Sequence, residues 1–530
     1  MVRKNHVIAY NGELYNYLEV RKELIILGWE FQTSSDTEVL LVAWMEWGKF
    51  ALDRFDGMYA FVIYDGDCVH LVSDPFGEKP LYWSRLSSGI YFSSEAGVLT
   101  ELLNLGFEPT GEQVTFFLGM GFFPAPETGF PSLSIVRPST HLTINQRFQV
   151  DESRYWSIPQ VTVKRGIIHK PDENDLDRIL EVLIESLRRR LRSDVPVGLF
   201  LSSGVDSTLL AALIAKELNV DISAFTVSFA DGVDESDAAK RVACHFGIRH
   251  QVINSLQDLS WQHIPAELRS LYGVPNDNPT VIAVRQMSEL IKPSVSVALS
   301  GLGGDELFYG YSKYFFLYQH RFAYRYLARL FSRIKGMKFG AFHKLRLAQE
   351  LFCGDKAWQF ISLKNYGLGL MLRSLHHLPD SYIKDFSSDK RDLVYLARDF
   401  DLTQTLPGSY ISAVERGSMR ASVEVRTPFL SRELLAETSK LDQRAFMQYG
   451  QKYVLRQLLY RYIPQDLLSK SKQGFVYPTK RYLSIAPKSC DVIRGLPHAL
   501  CQEIWQNRLN DRYTGLAVRL CVLEDFLSKG

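Results

Sequence analysis

The chain has 530 residues, of which 46% are hydrophobic and 23% are charged, a composition typical of globular domains. This length predicts two to four domains with full-sized cores. The formal net charge of +2 is too balanced to indicate a nucleic-acid or membrane partner, whereas small anionic ligands remain compatible with it.

The cysteines and the amino-terminal residues indicate the compartment. The six cysteines are scattered without a CxxC pair or metal-ligand spacing, which predicts buried thiols in a reducing compartment. The first thirty residues are charged throughout and lack the apolar core of a signal peptide. No run reaches the roughly 18 apolar residues of a membrane-spanning helix. We therefore expect a soluble cytoplasmic protein.

Residues 1–160 predict antiparallel sheet with a few helices, one of them at 14–27. The apolar run 6–10 leads into Asn11-Gly12, a dipeptide typical of a turn. Asp65-Gly66 follows another apolar run and precedes a third, which indicates a hairpin.

From about residue 177, after a predicted linker at 157–176, strand and helix patterns alternate. Strands separated by helices predict a parallel, doubly wound sheet. The fold class expected is thus α+β antiparallel followed by α/β. Strand-like runs lie at 195–201, 224–229, 250–254 and 295–300, and helical runs at 175–193, 207–219 and 234–247.

The segment VPVGLFLSSGVDSTLLAALIA (195–215) carries the most specific chemical signal. A buried strand ends at Leu201, small residues follow, and a helix begins near Ser207. Inward-facing N–H groups of such a loop, with those of the helix N-terminus, predict a phosphate-binding site. Asp206 stands where a GxxxxGK[ST] loop has no carboxylate, and a carboxylate beside phosphates implies Mg²⁺. The alternative is an ordinary Ser/Gly turn capped by Asp206.

A second segment, VALSGLGGDELFYGY (297–311), repeats the order of strand, small-residue loop and carboxylates. Ligands of doubly wound sheets bind beyond the carboxyl ends of the strands, so both loops should open on one crevice. We expect Asp305 to share the metal with Asp206.

These motifs resemble glutamine-dependent asparagine synthetases. SSGVDS (202–207) resembles the pyrophosphatase-type ATP loop SGG-x-DS of that family, and SGLGGDELFYGY (300–311) follows it in the family order. Further matches are SMRASVEVRTPFL (418–430), KYVLRQLL (452–459) and KSKQGFVYP (470–478). The resemblance implies an ATP-pyrophosphatase-type synthetase domain with added helices at 177–530.

The same resemblance extends to AYNGELYN, SSDTE, FDGMYAFVIYD and DPFGEKPLYW in residues 1–160, and implies an Ntn-type glutaminase sandwich without its amino-terminal segment. The family nucleophile is a cysteine directly after the initiator methionine. Here Val2 follows Met1, and Cys68 falls within a predicted strand. Either the chain starts at an internal methionine of a longer product, which we favour, or glutaminase activity has been lost.

The resemblance also implies roles for individual residues. Lys472, Lys452, Asp206 and Asp305 are the expected catalytic residues, with the two aspartates as metal ligands. ATP-binding residues are expected at Leu201, Ser202, Ser203, Gly204, Val205, Asp206, Ser207, Val227, Ser300 and Gly301. Glutamine-binding residues are expected at Asn11, Gly12, Glu13 and Asp36, and the acceptor pocket at Asp277, Glu306, Glu424 and Arg426. Lys452 could instead lie on a solvated helix face, and Glu424 and Arg426 could form a structural ion pair.

The activity implied by the resemblance is ATP-dependent amidation of a carboxylate through an acyl-adenylate, giving AMP and pyrophosphate. The expected small molecules are ATP, Mg²⁺, aspartate, and glutamine or ammonia; a homodimer is left open. Leu302 stands where the family often carries an acidic residue, and Glu415 and Ser431 also depart from its pattern, so the acceptor acid is open. Alternatives are amidation of another acid in polysaccharide or natural-product assembly, β-lactam formation, or a non-catalytic regulatory subunit.

Overall fold

The computed structural model describes ten stretches of the chain. They are residues 1–161, 166–228, 236–254, 263–320, 356–365, 372–373, 375–383, 391–467, 479–485 and 496–528.

The first unit, residues 1–161, contains two antiparallel sheets, as its sequence predicts. One sheet has six strands in the order β1-β2-β3-β4-β8-β9, and in the other β5 lies between β6 and β7. The strands are β1 Val2–Arg3, β2 His6–Leu14, β3 Gly57–Tyr64, β4 Val69–Ser73, β5 Tyr82–Leu86, β6 Gly89–Ser93, β7 Ser134–Ile135, β8 Thr140–Ile144 and β9 Val150–Arg154. The helices are α1 Tyr17–Ile26, α2 Asp36–Trp47, α3 Ala96–Leu102 and α4 Gly111–Met120, with a 3₁₀ stretch at Gly48–Asp53.

The predicted hairpin at Asp65-Gly66 is confirmed, because β3 pairs antiparallel with β4 across this turn. Cys68 lies in the turn, so its placement in a strand is wrong. The Asp65 carboxylate accepts the Cys68 N–H at 2.8 Å, which holds the turn residues out of the ladder. The prediction of buried thiols is also wrong for Cys244, which is exposed on α7, defined below.

Asn11 and Gly12 do not form the predicted turn. Both lie inside β2, opposite Ala60 and Tyr59 of β3. Gly12 has a φ of +143°, and a Cβ there would lie 2.1 Å from the carbonyl oxygen of Met58. Glycine is needed here because the neighbouring strand approaches the backbone closely, not because the chain reverses.

The second unit, the described residues from 166 onward, contains five parallel strands in the order β12-β11-β10-β13-β14. The parallel sheet predicted from the alternating pattern is therefore confirmed. The chain moves outward from β10 through β11 to β12 and then returns to the other side of β10, so the strand order reverses between β10 and β13. These strands are β10 Val197–Phe200, β11 Ser223–Ser228, β12 Arg249–Asn254, β13 Val297–Leu299 and β14 Glu424–Arg426.

Helices connect and extend this sheet. They are α5 Glu173–Arg190, α6 Val205–Leu213, α7 Ser236–Phe246, α8 Ile264–Tyr272, α9 Thr280–Ile291, α10 Gly304–Leu307, α11 Lys356–Lys364, α12 Asp380–Ile383, α13 Leu393–Phe400, α14 Ser412–Arg420, α15 Arg432–Lys440, α16 Ala445–Gln448, α17 Tyr453–Leu459, α18 Thr479–Ile485, α19 His498–Gln506 and α20 Asp511–Leu527. π-helical stretches follow α6 at Ile214–Leu218 and α13 at Asp401–Ile411, and a 3₁₀ turn lies at Gln465–Leu467. Within the described stretches, none of these helices has the length and apolar character to cross a membrane.

The largest hydrophobic core contains residues of both units. Phe116 and Phe117 of α4 belong to the same buried cluster as Leu520 and Leu523 of α20. The rings of Phe107 and Phe526 lie 5.3 Å apart between centroids. The two units therefore pack on each other through apolar surface, whose burial is the dominant favourable term in most protein association.

Gly12→Ala is expected to destabilise the protein because its methyl group would overlap the Met58 carbonyl. Gly89→Ala is the matched control, since Gly89 has a φ of +149° and nothing lies within 4 Å of the position that an added methyl group would take. Overpacking adds about 1–3 kcal/mol to the backbone strain that both variants share. Denaturant unfolding should thus show a larger loss of unfolding free energy for Gly12→Ala than for Gly89→Ala. Equal losses would contradict the close approach of β3 to Gly12.

Candidate active site

Two loops meet at the carboxyl edge of the parallel sheet, where the strand order reverses. β10 and β13 are neighbours, with Leu199 opposite Leu299. A Cβ on Gly301 would lie 2.9 Å from the Asp206 Cβ, and one on Gly304 would lie 2.5 Å from Asp206 Oδ1. The loop after β13 therefore packs directly on the start of α6, and small residues permit this contact.

Lys452 joins the two aspartates of these loops. Its Nζ pairs with Asp206 Oδ2 and lies 2.8 Å from Asp305 Oδ1. Lys452 is only 4% exposed, so its interpretation as a solvated helix residue is wrong. Burial acts to lower the lysine pKa, but the two carboxylates outweigh burial and raise it. The ammonium is thus a fixed positive charge between two loops.

Asp206 and Asp305 form a donor set that fits a magnesium nucleotide. Their side chains are 13% and 15% exposed and converge on a single cation. Magnesium in nucleotide sites is commonly bound by one or two carboxylates together with phosphate oxygens and water. Among the described residues, no group of three or more His, Cys, Asp or Glu side chains is arranged to hold a metal alone. The phosphates would therefore have to complete the coordination.

Hydroxyl groups organise the loop after β10. The Ser202 N–H donates to Ser207 Oγ at 3.1 Å, and the Gly204 N–H donates to Ser202 Oγ at 3.1 Å. These two donors, expected to face an anion, are hydrogen-bonded within the loop in this structure. Leu201 directly follows β10 and is still bonded to the sheet, since its N–H donates to the Phe225 carbonyl at 2.9 Å. Of the other expected ATP-binding residues, Ser203 and Val205 are buried, Val227 lies in β11, and Ser300 and Gly301 begin the loop after β13.

Glu306 is a buried carboxyl group directly after Asp305. It is 1% exposed, and the Tyr311 hydroxyl donates to its Oε1 at 2.7 Å. Burial, and then the negative charge of Asp305, raise its pKa to about 7. Glu306 therefore changes its protonation state near neutral pH next to Asp305.

The residues expected in the acceptor pocket bond to different partners in different parts of the structure. Glu424 and Arg426 of β14 form the predicted ion pair at 2.7 Å. Asp277 instead pairs with Arg519 of α20 at 2.6 Å and packs against Gly121, at the end of α4. Lys472 lies outside the described residues, as does Phe229 at the end of the predicted strand 224–229.

The expected glutamine-binding residues lie on β2 and at the start of α2. Asp36 accepts hydrogen bonds from the Leu14 N–H at 3.0 Å and the Tyr10 hydroxyl at 2.9 Å. Asn11 donates to the Ser94 hydroxyl at 3.1 Å. Burial raises the pKa of Glu13 to about 7, although the positive charge of Arg426 acts in the opposite direction.

A contact between the two units was not anticipated from the sequence. Lys79 pairs with Glu415 of α14 at 2.9 Å, and the Thr427 hydroxyl donates to Glu78. The buried Asp74 carboxylate holds this loop by accepting backbone N–H groups, including that of Lys79 at 2.9 Å. The segment DPFGEKP contains Pro, Gly and adjacent charges, a pattern that indicates a constrained loop. The pattern does not identify the partners of this loop, which lie more than 300 residues away.

Two family models match parts of this chain. A family model described as asparagine synthase matches residues 178–490, and one described as a glutamine amidotransferase domain matches residues 1–156. Asparagine synthetase [glutamine-hydrolyzing] 1 of Bacillus subtilis is 28% identical over 513 residues, covering 90% of this chain and 76% of that protein. Asparagine synthetase B [glutamine-hydrolyzing] of Escherichia coli is 30% identical over 340 residues, covering 60% and 54%.

One solved structure that was matched to this chain is that of a glutamine phosphoribosylpyrophosphate amidotransferase from B. subtilis, complexed with ADP and GMP. It has 16% identity and a TM-score of 0.22, covering 56% of this chain and 61% of that one.

Glu306→Gln is expected to change how stability depends on pH. Because the folded-state pKa of Glu306 is about 7, its protonated form stabilises the fold fully below the ordinary carboxyl pKa. This stabilisation is lost as pH rises through 7. Glutamine has no such proton to lose. Between pH 5 and pH 8, the free energy of unfolding of the variant should therefore increase by about 2–3 kcal/mol relative to that of the parent. Denaturant unfolding at both pH values measures this difference. The exposed Glu101→Gln variant is the control, and a pH-independent difference for Glu306→Gln would contradict the expectation.

Proposed function

Because the chain belongs to the asparagine synthase family, and is thus a carbon–nitrogen ligase, we propose that it amidates a carboxylic acid, with ATP cleaved to AMP and pyrophosphate. The observation that carries this proposal is the contact of Asp206, Lys452 and Asp305 between two loops at the reversal point of the parallel sheet. This is where open α/β sheets bind their ligands. We propose aspartate as the acid and glutamine or ammonia as the nitrogen donor.

The chemistry required of the site is electrostatic. A carboxylate is a poor electrophile at neutral pH, and its adenylation turns one oxygen into a leaving group. The two anions must be held together, and the charge that develops on pyrophosphate must be neutralised. Magnesium held by Asp206 and Asp305 would supply part of that neutralisation.

Lys452 is placed to supply the remaining positive charge. Its ammonium is buried and held at the junction of the loops, and on nucleotide binding it would exchange a carboxylate contact for phosphate oxygens. We propose Lys472 as a second lysine acting on the adenylate. Ser202, Gly204 and Ser207 would exchange their internal hydrogen bonds for contacts with phosphate.

We further propose that residues 1–160 form an Ntn-type sandwich that binds glutamine, and that residues 177–530 form the synthetase unit. Asn11 and Gly12 would provide the oxyanion hole, while Glu13 and Asp36 would bind the amino group. Their common position on β2 and at the start of α2 supports this assignment.

Asp206→Asn should reduce AMP formation by at least about 10²-fold, because one of the two negative charges that hold the nucleotide cation is removed. Asp221→Asn is the matched control, since Asp221 is 79% exposed and pairs with the exposed Arg249. AMP release with ATP, ammonia and aspartate measures both variants. Equal activity of Asp206→Asn and the parent would refute the assignment of this site.

The acceptor can be identified by ATP–pyrophosphate exchange with a panel of acids. We expect exchange with aspartate, since adenylation of the correct acid is reversible before ammonia attacks. Exchange with a uronic acid or another carboxylate, and none with aspartate, would show that this other acid is the acceptor. The reaction class would be unchanged. Exchange with no acid, together with no AMP release, would favour a non-catalytic subunit.

A further inference from the structure

Strand β14 contacts both candidate sites. Its residue Arg426 pairs in register with Leu299 of β13. The Arg426 carbonyl accepts the N–H of Ser300 at 2.9 Å, and Ser300 begins the loop that carries Asp305. The backbone of Arg426 thus fixes the origin of one of the two nucleotide loops.

The side chain of Arg426 is held on several sides. It is 3% exposed, and its Nε donates to Glu424 at 2.7 Å. Its Nη1 donates to the carbonyls of Arg190 at 3.0 Å and Arg192 at 2.5 Å. Because these contacts leave the guanidinium little freedom to rotate, we expect a displacement of the side chain to reach its backbone.

The remaining nitrogen of Arg426 faces the first unit. Its Nη2 lies 3.3 Å from Glu13 Oε1, and the Glu13 side chain is 38% exposed. Glu13 lies on β2 next to Leu14, whose N–H donates to Asp36. The same carboxylate therefore adjoins the expected glutamine site and the arginine that holds Ser300.

We propose that Arg426 is a positioning residue shared by the two sites: its side chain orients Glu13, and its carbonyl fixes Ser300. The charge on Glu13 then affects nucleotide affinity even when glutamine is not used. This inference rests on the proposed function, because it takes the loop after β13 to bind the nucleotide.

The expected effect is modest because the ion pair is partly exposed and therefore screened by solvent. Glu13→Gln keeps the size of the side chain and, at pH 8, above the Glu13 pKa of about 7, removes its charge. It should weaken nucleotide binding by about two- to fivefold, the range expected of a partly exposed ion pair coupled to a second site.

Glu19→Gln is the matched control. Glu19 is 40% exposed and also joins the two units, through Arg192 at 2.7 Å, but its side chain contacts neither Glu13 nor the Arg426 guanidinium. Calorimetric titration with magnesium α,β-methylene-ATP gives the dissociation constant of each variant. The KM for ATP with ammonia as nitrogen donor gives a second measurement. We expect both constants to rise in Glu13→Gln and to stay at the parental values in Glu19→Gln.

Unchanged constants in Glu13→Gln would overturn the proposal, and so would equal increases in both variants, which would indicate a general loosening of the contact between units. A parent that binds the nucleotide but releases no AMP with any acid would refute the proposed function, while the binding constants would still decide the role of Arg426. A parent that binds no nucleotide would refute both.

Discussion

The contact between the two nucleotide loops depends on a buried cation, Lys452, between two carboxylates. Asp206 and Asp305 come from separate loops, and without Lys452 their like charges would oppose the contact of those loops. Removing one partner of a buried ion pair typically costs about 3–5 kcal/mol. The reversal of strand order brings the loops to one edge, the glycines let them touch, and the lysine makes the contact favourable. A ligand that carries its own cation can use the same arrangement.

Sequence patterns predict the parts of this structure that depend on local chemistry. Alternating strands and helices are enough to predict the parallel sheet, and the order of strand, small-residue loop and carboxylate is enough to bring Asp206 near Asp305. Lys452 illustrates the limit. It directly precedes a helix, and its burial depends on packing against loops that lie about 150 to 250 residues earlier in the chain.

Gly12 and Lys79 show the same limit for different reasons. Asn-Gly is typical of turns, but at Gly12 the close approach of β3 determines the residue, and that approach is a tertiary property. Lys79 and Glu78 find buried partners in the other unit, and no periodicity in the sequence identifies a partner across such a distance. Asp277 is similar, because its pairing with Arg519 depends on where the last helix packs.

The shared hydrophobic core has an evolutionary consequence. With Phe107 of one unit against Phe526 near the end of the other, the two halves cannot be exchanged freely between relatives by recombination. A foreign half would have to match a set of aromatic rings in shape as well as keep its own reactive residues. We therefore expect substitutions at these aromatic positions to accompany one another across lineages, so that the two halves diverge as a pair.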